Sequence, residues 1–293
     1  MNTETLDPRY QGVEHWPSHC AVEAMLERQM AAIAALQTQT AAIAAAADAA
    51  AIRLETGGRL VFVGAGTSGR LAVQDGTELH PTFGWPAERM LFLMAGGAGA
   101  LTQAREGAED DADAARAEVA AAGIGAEDVM IGVAASGRTP FTVAAIETAR
   151  AAGALTIGIA NNPATPLTQT AEHVVVAATG SEIIAGSTRM KAGTAQKAAL
   201  NLLSTTIMIR LGLIYDGRMV AMRVSNAKLL RRARAMVQDL TGVELDAAAD
   251  ALERGGNDIR RAVLIARGLE PDTAAALLET HHGRLDTAIA AAG

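Results

Sequence analysis

Aromatic side chains are scarce in this 293-residue sequence, at 3% of the total, which argues against an interior built on large rings such as an aromatic-rich β-sandwich. Cysteine occurs once, at Cys20, so no disulfide can close within the chain. The start, Met1-Asn2-Thr3-Glu4-Thr5, has neither the basic segment nor the apolar run of a secretory leader. A cytoplasmic protein is expected. A clean spanning segment is also lacking: the strongest candidate, residues 31–51, is broken by Gln37, Thr38, Gln39, Thr40 and Asp48. It reads as a packing helix, and no membrane partner is expected. The six histidines show no metal-ligand spacing, so no metal is expected. Positive charge is in deficit, with 25 Lys and Arg against 32 Asp and Glu and a net charge of -7. Such a chain has no global attraction to a polyanion, and nucleic acid is not expected as a partner.

What is plentiful is alanine, which carries much of the 50% hydrophobic fraction and favours helices packed through small side chains. Short apolar, often β-branched runs recur at residues 59–63, 90–94, 129–133, 155–159 and 173–177. Each reads as a buried strand, and the stretches between them have helical length. Strand-helix alternation of this kind implies right-handed crossovers and a mainly parallel α/β sheet, with ligands bound beyond the carboxyl ends of the strands. A long apolar-periodic helix is predicted over 188–211, followed by Gly212 and the turn-forming pair Asp216-Gly217. The expected organisation is an N-terminal helical arm (1–50), a central α/β domain (51–216) and a small C-terminal helical domain (217–293). The last contains a weak echo: Leu252-Glu253, Gly256-Asn257-Asp258-Ile259 and Ala262 resemble Leu278-Glu279, His282-Gly283-Arg284-Leu285 and Ala288. Two similar helical hairpins without chemistry account for it.

The segment Gly64-Ala65-Gly66-Thr67-Ser68-Gly69-Arg70 follows a predicted strand and opens a helix, so it matches the dinucleotide pattern G-x-G-x-x-G. That reading also requires an acidic residue near the end of the next strand, and here the strand runs into Met94-Ala95-Gly96-Gly97. No nucleotide cofactor is expected. Hydroxyls at a helix N-terminus suit a compact phosphate monoester instead, which makes Thr67, Ser68 and Gly69 candidate phosphate contacts. Ser136-Gly137-Arg138-Thr139-Pro140 repeats the design after the third strand. For an isolated segment of that type, Ser136 as a simple helix cap is the plainer reading; its pairing with the first loop favours ligand binding. A third concentration of hydroxyls, glycines and cations stands at Gly186-Ser187-Thr188-Arg189-Met190-Lys191-Ala192-Gly193-Thr194-Ala195-Gln196-Lys197.

This last run, together with residues 64–70, 78–84, Ala108-Glu109-Asp110 and 134–140, closely resembles the N-acetylmuramic acid 6-phosphate etherases. The resemblance is dense over about 59–212 and loose beyond. It implies a homodimeric enzyme of the sugar isomerase (SIS) fold, a flavodoxin-like parallel sheet, acting in cell-wall recycling. The implied reaction converts N-acetylmuramic acid 6-phosphate and water to N-acetylglucosamine 6-phosphate and D-lactate without metal or nucleotide. On that resemblance Glu78 is the acid that protonates the leaving ether oxygen and Glu109 the base at C2. The implied substrate contacts are Thr67, Ser68, Gly69, Ser136, Gly137, Arg138, Thr139, Ser187, Thr188 and Lys191. The chain departs from the family pattern in the stretch before the first strand, which is short and atypical, at His80, at residues 217–221 and at His282.

Two carboxyls in different protonation states suit a reaction that removes one proton and delivers another. From the residues alone, however, Glu106, Glu109, Asp110 and Asp111 also read as one solvated acidic face, and Glu78 as an exposed helix residue. Two other readings stay open at this point: an aldose-ketose isomerase on the same fold, and a non-catalytic sugar-phosphate sensor.

Overall fold

The structure, a computed structural model, describes residues 3–293. Five parallel strands form one sheet in the order β2-β1-β3-β4-β5. They are β1 (Leu60–Gly64), β2 (Met90–Met94), β3 (Val129–Ala134), β4 (Leu155–Ala160) and β5 (His173–Val176), all within a residue of the sequence expectation. The β1, β3 and β4 backbones carry only buried residues, because helices cover both faces of a sheet built from crossovers. The helices are α1 (Ser18–Ala34), α2 (Thr40–Glu55), α3 (Gly66–Phe83), α4 (Ala112–Ala121), α5 (Pro140–Ala151), α6 (Pro166–Thr170) and α7 (Lys191–Arg210).

Small residues set the spacing between layers. On α5, Ala144, Ala145, Ile146 and Ala149 are buried against Val61, Val63 and Met130 of the sheet. At the amino end of the sheet, Asp128 accepts from both the backbone N–H (3.0 Å) and the guanidinium (2.7 Å) of Arg59, tying the entrances of β1 and β3. Helix α7 begins later than the sequence pattern predicts. Residues before Lys191 are in a turn, with the Met190 N–H donating to the Ser187 carbonyl at 3.1 Å. The stretch Ser18–Glu55 is long and apolar enough by length and composition to cross a membrane; it is two helices joined by a 3₁₀ segment, Ala35–Gln39. Within it α2 buries Ile43, Ala46, Ala47, Ala50, Ala51 and Leu54.

The chain forms two compact units. One comprises Met1–Gly76 and Glu88–Thr206; the other comprises Thr77–Ala87 and Ile207–Gly293. The second contains α8 (Ala227–Thr241), α9 (Leu245–Arg254), α10 (Ile259–Ala266), α11 (Pro271–Thr280) and α12 (Leu285–Ala292) around its own apolar core. The sequence echo is structural: α9-α10 and α11-α12 are both hairpins, and both turn through consecutive left-handed residues, Gly256 and Asn257 in one and His282 and Gly283 in the other. His282 thus adopts a backbone that glycine would hold with less strain. In the same unit His80 has Nδ1 at 2.7 Å from the Trp85 carbonyl and Nε2 at 2.8 Å from Arg223. Since a guanidinium only donates, Nε2 accepts and the proton sits on Nδ1.

Candidate active site

After β1 the chain turns outward to β2, whereas after β3 it continues to β4 and β5. Connections leaving neighbouring strands in opposite directions open a crevice beyond their carboxyl ends. A cavity of about 430 Å³ lies there, lined by Thr67 and Ser68 after β1, by Ser136, Arg138 and Thr139 after β3, by Glu109 and Asp110 before α4, by Thr188 before α7 and by Glu4.

Each wall has a local cause. Thr67 and Ser68 occupy the first turn of α3, where backbone N–H groups have no partner within the helix. Gly69 is different: its N–H already donates to the Ala65 carbonyl at 3.0 Å. A Cβ on Gly69 would stand 2.7 Å from the Gly64 carbonyl oxygen, and one on Gly64 would stand 2.8 Å from the Gly69 Cα. These two glycines let α3 pack directly on β1. Arg70 donates through Nε to the carbonyls of Ala100 (3.0 Å) and Leu101 (3.1 Å), anchoring the connection that goes on to Glu109.

After β3, Gly137 takes a left-handed backbone (φ 65°), and a Cβ there would come within 2.7 Å of the Thr165 Cβ. Ser136 Oγ accepts from the Arg138 N–H at 3.1 Å, so it shapes the loop rather than capping α5. The N-cap of α5 is Thr139, whose side chain makes no capping hydrogen bond; the residue lines the cavity. Asn162 holds this loop, donating to the Ala135 carbonyl at 2.9 Å.

Of the residues expected on substrate, Thr67, Ser68, Ser136, Arg138, Thr139 and Thr188 line one cavity with Glu109. Gly69 and Gly137 are buried spacers beside it, and Ser187 precedes Thr188 outside the lining. Lys191 has another task altogether. It is only 2% exposed, and its ammonium donates to the carbonyls of Thr179 (2.6 Å) and Ser181; burial pushes its pKa down to about 8. Next to it the carboxylate of Glu182, 1% exposed, accepts from the N–H groups of Lys191 (3.0 Å) and Ala192 (2.8 Å). The N-terminus of α7 is therefore occupied by a protein carboxylate. A phosphate has no place there. Glu78 stands exposed on α3, outside the cavity lining and in the Thr77–Ala87 segment of the second unit.

Comparisons with known proteins identify the domain and the family. Residues 42–150 match the glucokinase regulatory protein N-terminal SIS domain, and residues 110–206 match the SIS domain. An N-acetylmuramic acid 6-phosphate etherase from Deinococcus radiodurans is 50% identical over 94% of this chain and 91% of its own length. The chain belongs to the N-acetylmuramic acid 6-phosphate etherase family. A second etherase of that name, from Streptomyces avermitilis, is 42% identical over 100% of this chain and 94% of its own. Among solved structures, the sugar isomerase domain of an RpiR transcription factor from Sphaerobacter thermophilus aligns with a TM-score of 0.48 at 25% identity, covering 64% of this chain and 89% of that one. One residue of the cavity escapes sequence reasoning entirely. Glu4 reaches it from the N-terminal segment, which is pinned by Thr3 to Asn162, 159 positions away, and no local pattern signals such a contact.

Proposed function

We propose that the cavity at the β1-β3 switch point holds N-acetylmuramic acid 6-phosphate while this etherase cleaves its lactyl ether, giving N-acetylglucosamine 6-phosphate and D-lactate. The observation that carries this reading is the convergence, on one cavity, of hydroxyls from the entrances of α3 and α5 with the carboxylate of Glu109. Oriented N–H groups and hydroxyls at helix N-termini suit a phosphate monoester, and about 430 Å³ is within the usual range for a small-molecule site.

In the open-chain sugar the C1 carbonyl acidifies the C2 proton. Glu109 accepts that proton, the C3–O bond breaks with its electron pair on the lactyl oxygen, and the departing lactate is protonated, a role that the family resemblance gives to Glu78, which does not line this cavity. Water then adds at C3 of the unsaturated aldehyde and C2 is reprotonated, so the atoms of one water molecule enter the products. The steps are proton transfers coupled to breaking and re-forming the C3–O bond, and no cofactor enters this scheme. Pairing with a second copy is supported by α1, which exposes Val22, Leu26, Met30 and Ile33 at helical spacing along one face. The single free cysteine suits a reducing, cytoplasmic setting.

If Ser136 and Thr139 hold phosphate, Ser136→Ala or Thr139→Val is expected to raise KM with little change in kcat. Loss of one charge-assisted contact costs about 1.5–3 kcal/mol. Steady-state assay of D-lactate release checks this, and an unchanged KM in both folded variants removes the phosphate assignment.

A further inference from the structure

The N-terminal segment is tied down on both sides of Glu4. Thr3, fully buried, donates its N–H to Asn162 Oδ1 (3.3 Å), accepts from Asn162 Nδ2 on its hydroxyl (3.1 Å) and accepts from the Gly186 N–H on its carbonyl (3.2 Å). Asp7, 1% exposed, accepts from Ser181 Oγ at 3.1 Å and from the Arg9 guanidinium at 2.7 Å. Asn162 is the residue that also holds the Ser136 loop, and a Cβ on Gly186 would lie 3.0 Å from Glu4 Oε2. The Glu4 carboxylate is thereby set over the loop leading to Thr188, at the rim of the cavity it lines.

A carboxylate in that place has a defined chemistry. It repels both anionic ends of the substrate, the phosphate and the lactyl carboxylate, and it has only acceptor oxygens to offer. One of its oxygens accepts from the Thr3 hydroxyl at 3.3 Å, and from the substrate what the carboxylate can hold are neutral donors. We propose that Glu4 is a specificity-determining residue, accepting a hydrogen bond from an O–H or N–H of the sugar while the hydroxyls of the α3 and α5 entrances take the phosphate. This rests on the reading of the cavity given above.

The two roles respond in opposite directions. Glu4→Ala is expected to lower kcat/KM for N-acetylmuramic acid 6-phosphate by about 10- to 100-fold, mainly through KM, as for loss of a hydrogen bond to a charged group. In Glu4→Gln, which keeps one acceptor oxygen, the loss is smaller, while competitive inhibition by inorganic phosphate tightens by about 2- to 5-fold because a like charge has gone. Inhibition by N-acetylglucosamine 6-phosphate and by glucose 6-phosphate locates the donor: weakening of both by Glu4→Ala means a hydroxyl, and weakening of the first alone means the amide N–H. The proposal is overturned if Glu4→Ala leaves kcat/KM unchanged, or if inhibition by inorganic phosphate weakens in parallel with substrate affinity. Ser136→Ala assayed alongside keeps the failures apart, since an error in the cavity reading leaves KM unmoved in both variants.

Discussion

Glu109→Gln is expected to lower D-lactate release by about 10²- to 10⁴-fold, the range typical for loss of a general base, and to suppress exchange of the C2 proton with solvent to the same degree. The amide is nearly isosteric and keeps a hydrogen-bonding oxygen, so the cavity that Glu109 shares with Thr67, Ser136 and Thr139 stays intact and KM should change little. Glu78→Gln separates the two halves of the reaction. Proton removal from C2 does not require the acid, so exchange should persist while lactate departure falls by a similar factor. The assay is deuterium uptake at C2 in heavy water, followed in parallel with lactate formation. If both variants release lactate at near-normal rates, Glu106, Glu109, Asp110 and Asp111 revert to a solvated acidic face.

A second large effect is expected away from the reacting atoms. Glu182→Ala removes a carboxylate that is 1% exposed and accepts from the first two N–H groups of α7. It leaves those donors unpaired and removes an opposite charge that favours the buried Lys191 ammonium. Breaking a buried ionic arrangement by removing one partner costs about 3–5 kcal/mol, a large share of the 5–15 kcal/mol that ordinarily separates folded from unfolded chains. Urea unfolding followed by circular dichroism measures it. Glu182→Gln retains one acceptor oxygen and should cost clearly less; equal stability of all three proteins contradicts this role. Because Thr188 lies just ahead of α7, a marginally folded Glu182→Ala protein is also expected to show a raised KM.

The sheet was legible in the sequence because β-branched runs such as those of β1, β3 and β4 have few other ways to bury themselves, and their ends are punctuated by glycine. The hydroxyls at the two helix entrances were legible for the same reason: loop chemistry next to a strand is local information. What stayed hidden depends on contacts distant in the chain. Lys191 sits in a run of hydroxyls and glycines that reads as an anion site, yet the carboxylate that takes over the α7 N-terminus comes from Glu182, outside that run. Gly69 completes a recognisable phosphate pattern, but its lack of a side chain is needed against Gly64. Glu4 had no signal at all, since Asn162 and Gly186 place it. Membership of residues 77–87 in the same compact unit as the C-terminal helices was equally invisible, since it arises from packing that breaks no sequence rule.

Elimination followed by hydration, and cleavage on the lactyl side of the ether, give the same two products but route the solvent oxygen differently. Purified protein incubated with N-acetylmuramic acid 6-phosphate in oxygen-18 water, with mass spectrometry of both products, distinguishes them. If Glu109 takes the C2 proton and Glu78 sends lactate away, solvent oxygen appears in the C3 hydroxyl of N-acetylglucosamine 6-phosphate and the lactate hydroxyl is unlabelled. Label in the lactate hydroxyl, with the original oxygen retained on C3, would contradict the proposed bond cleavage and with it the roles given to both glutamates.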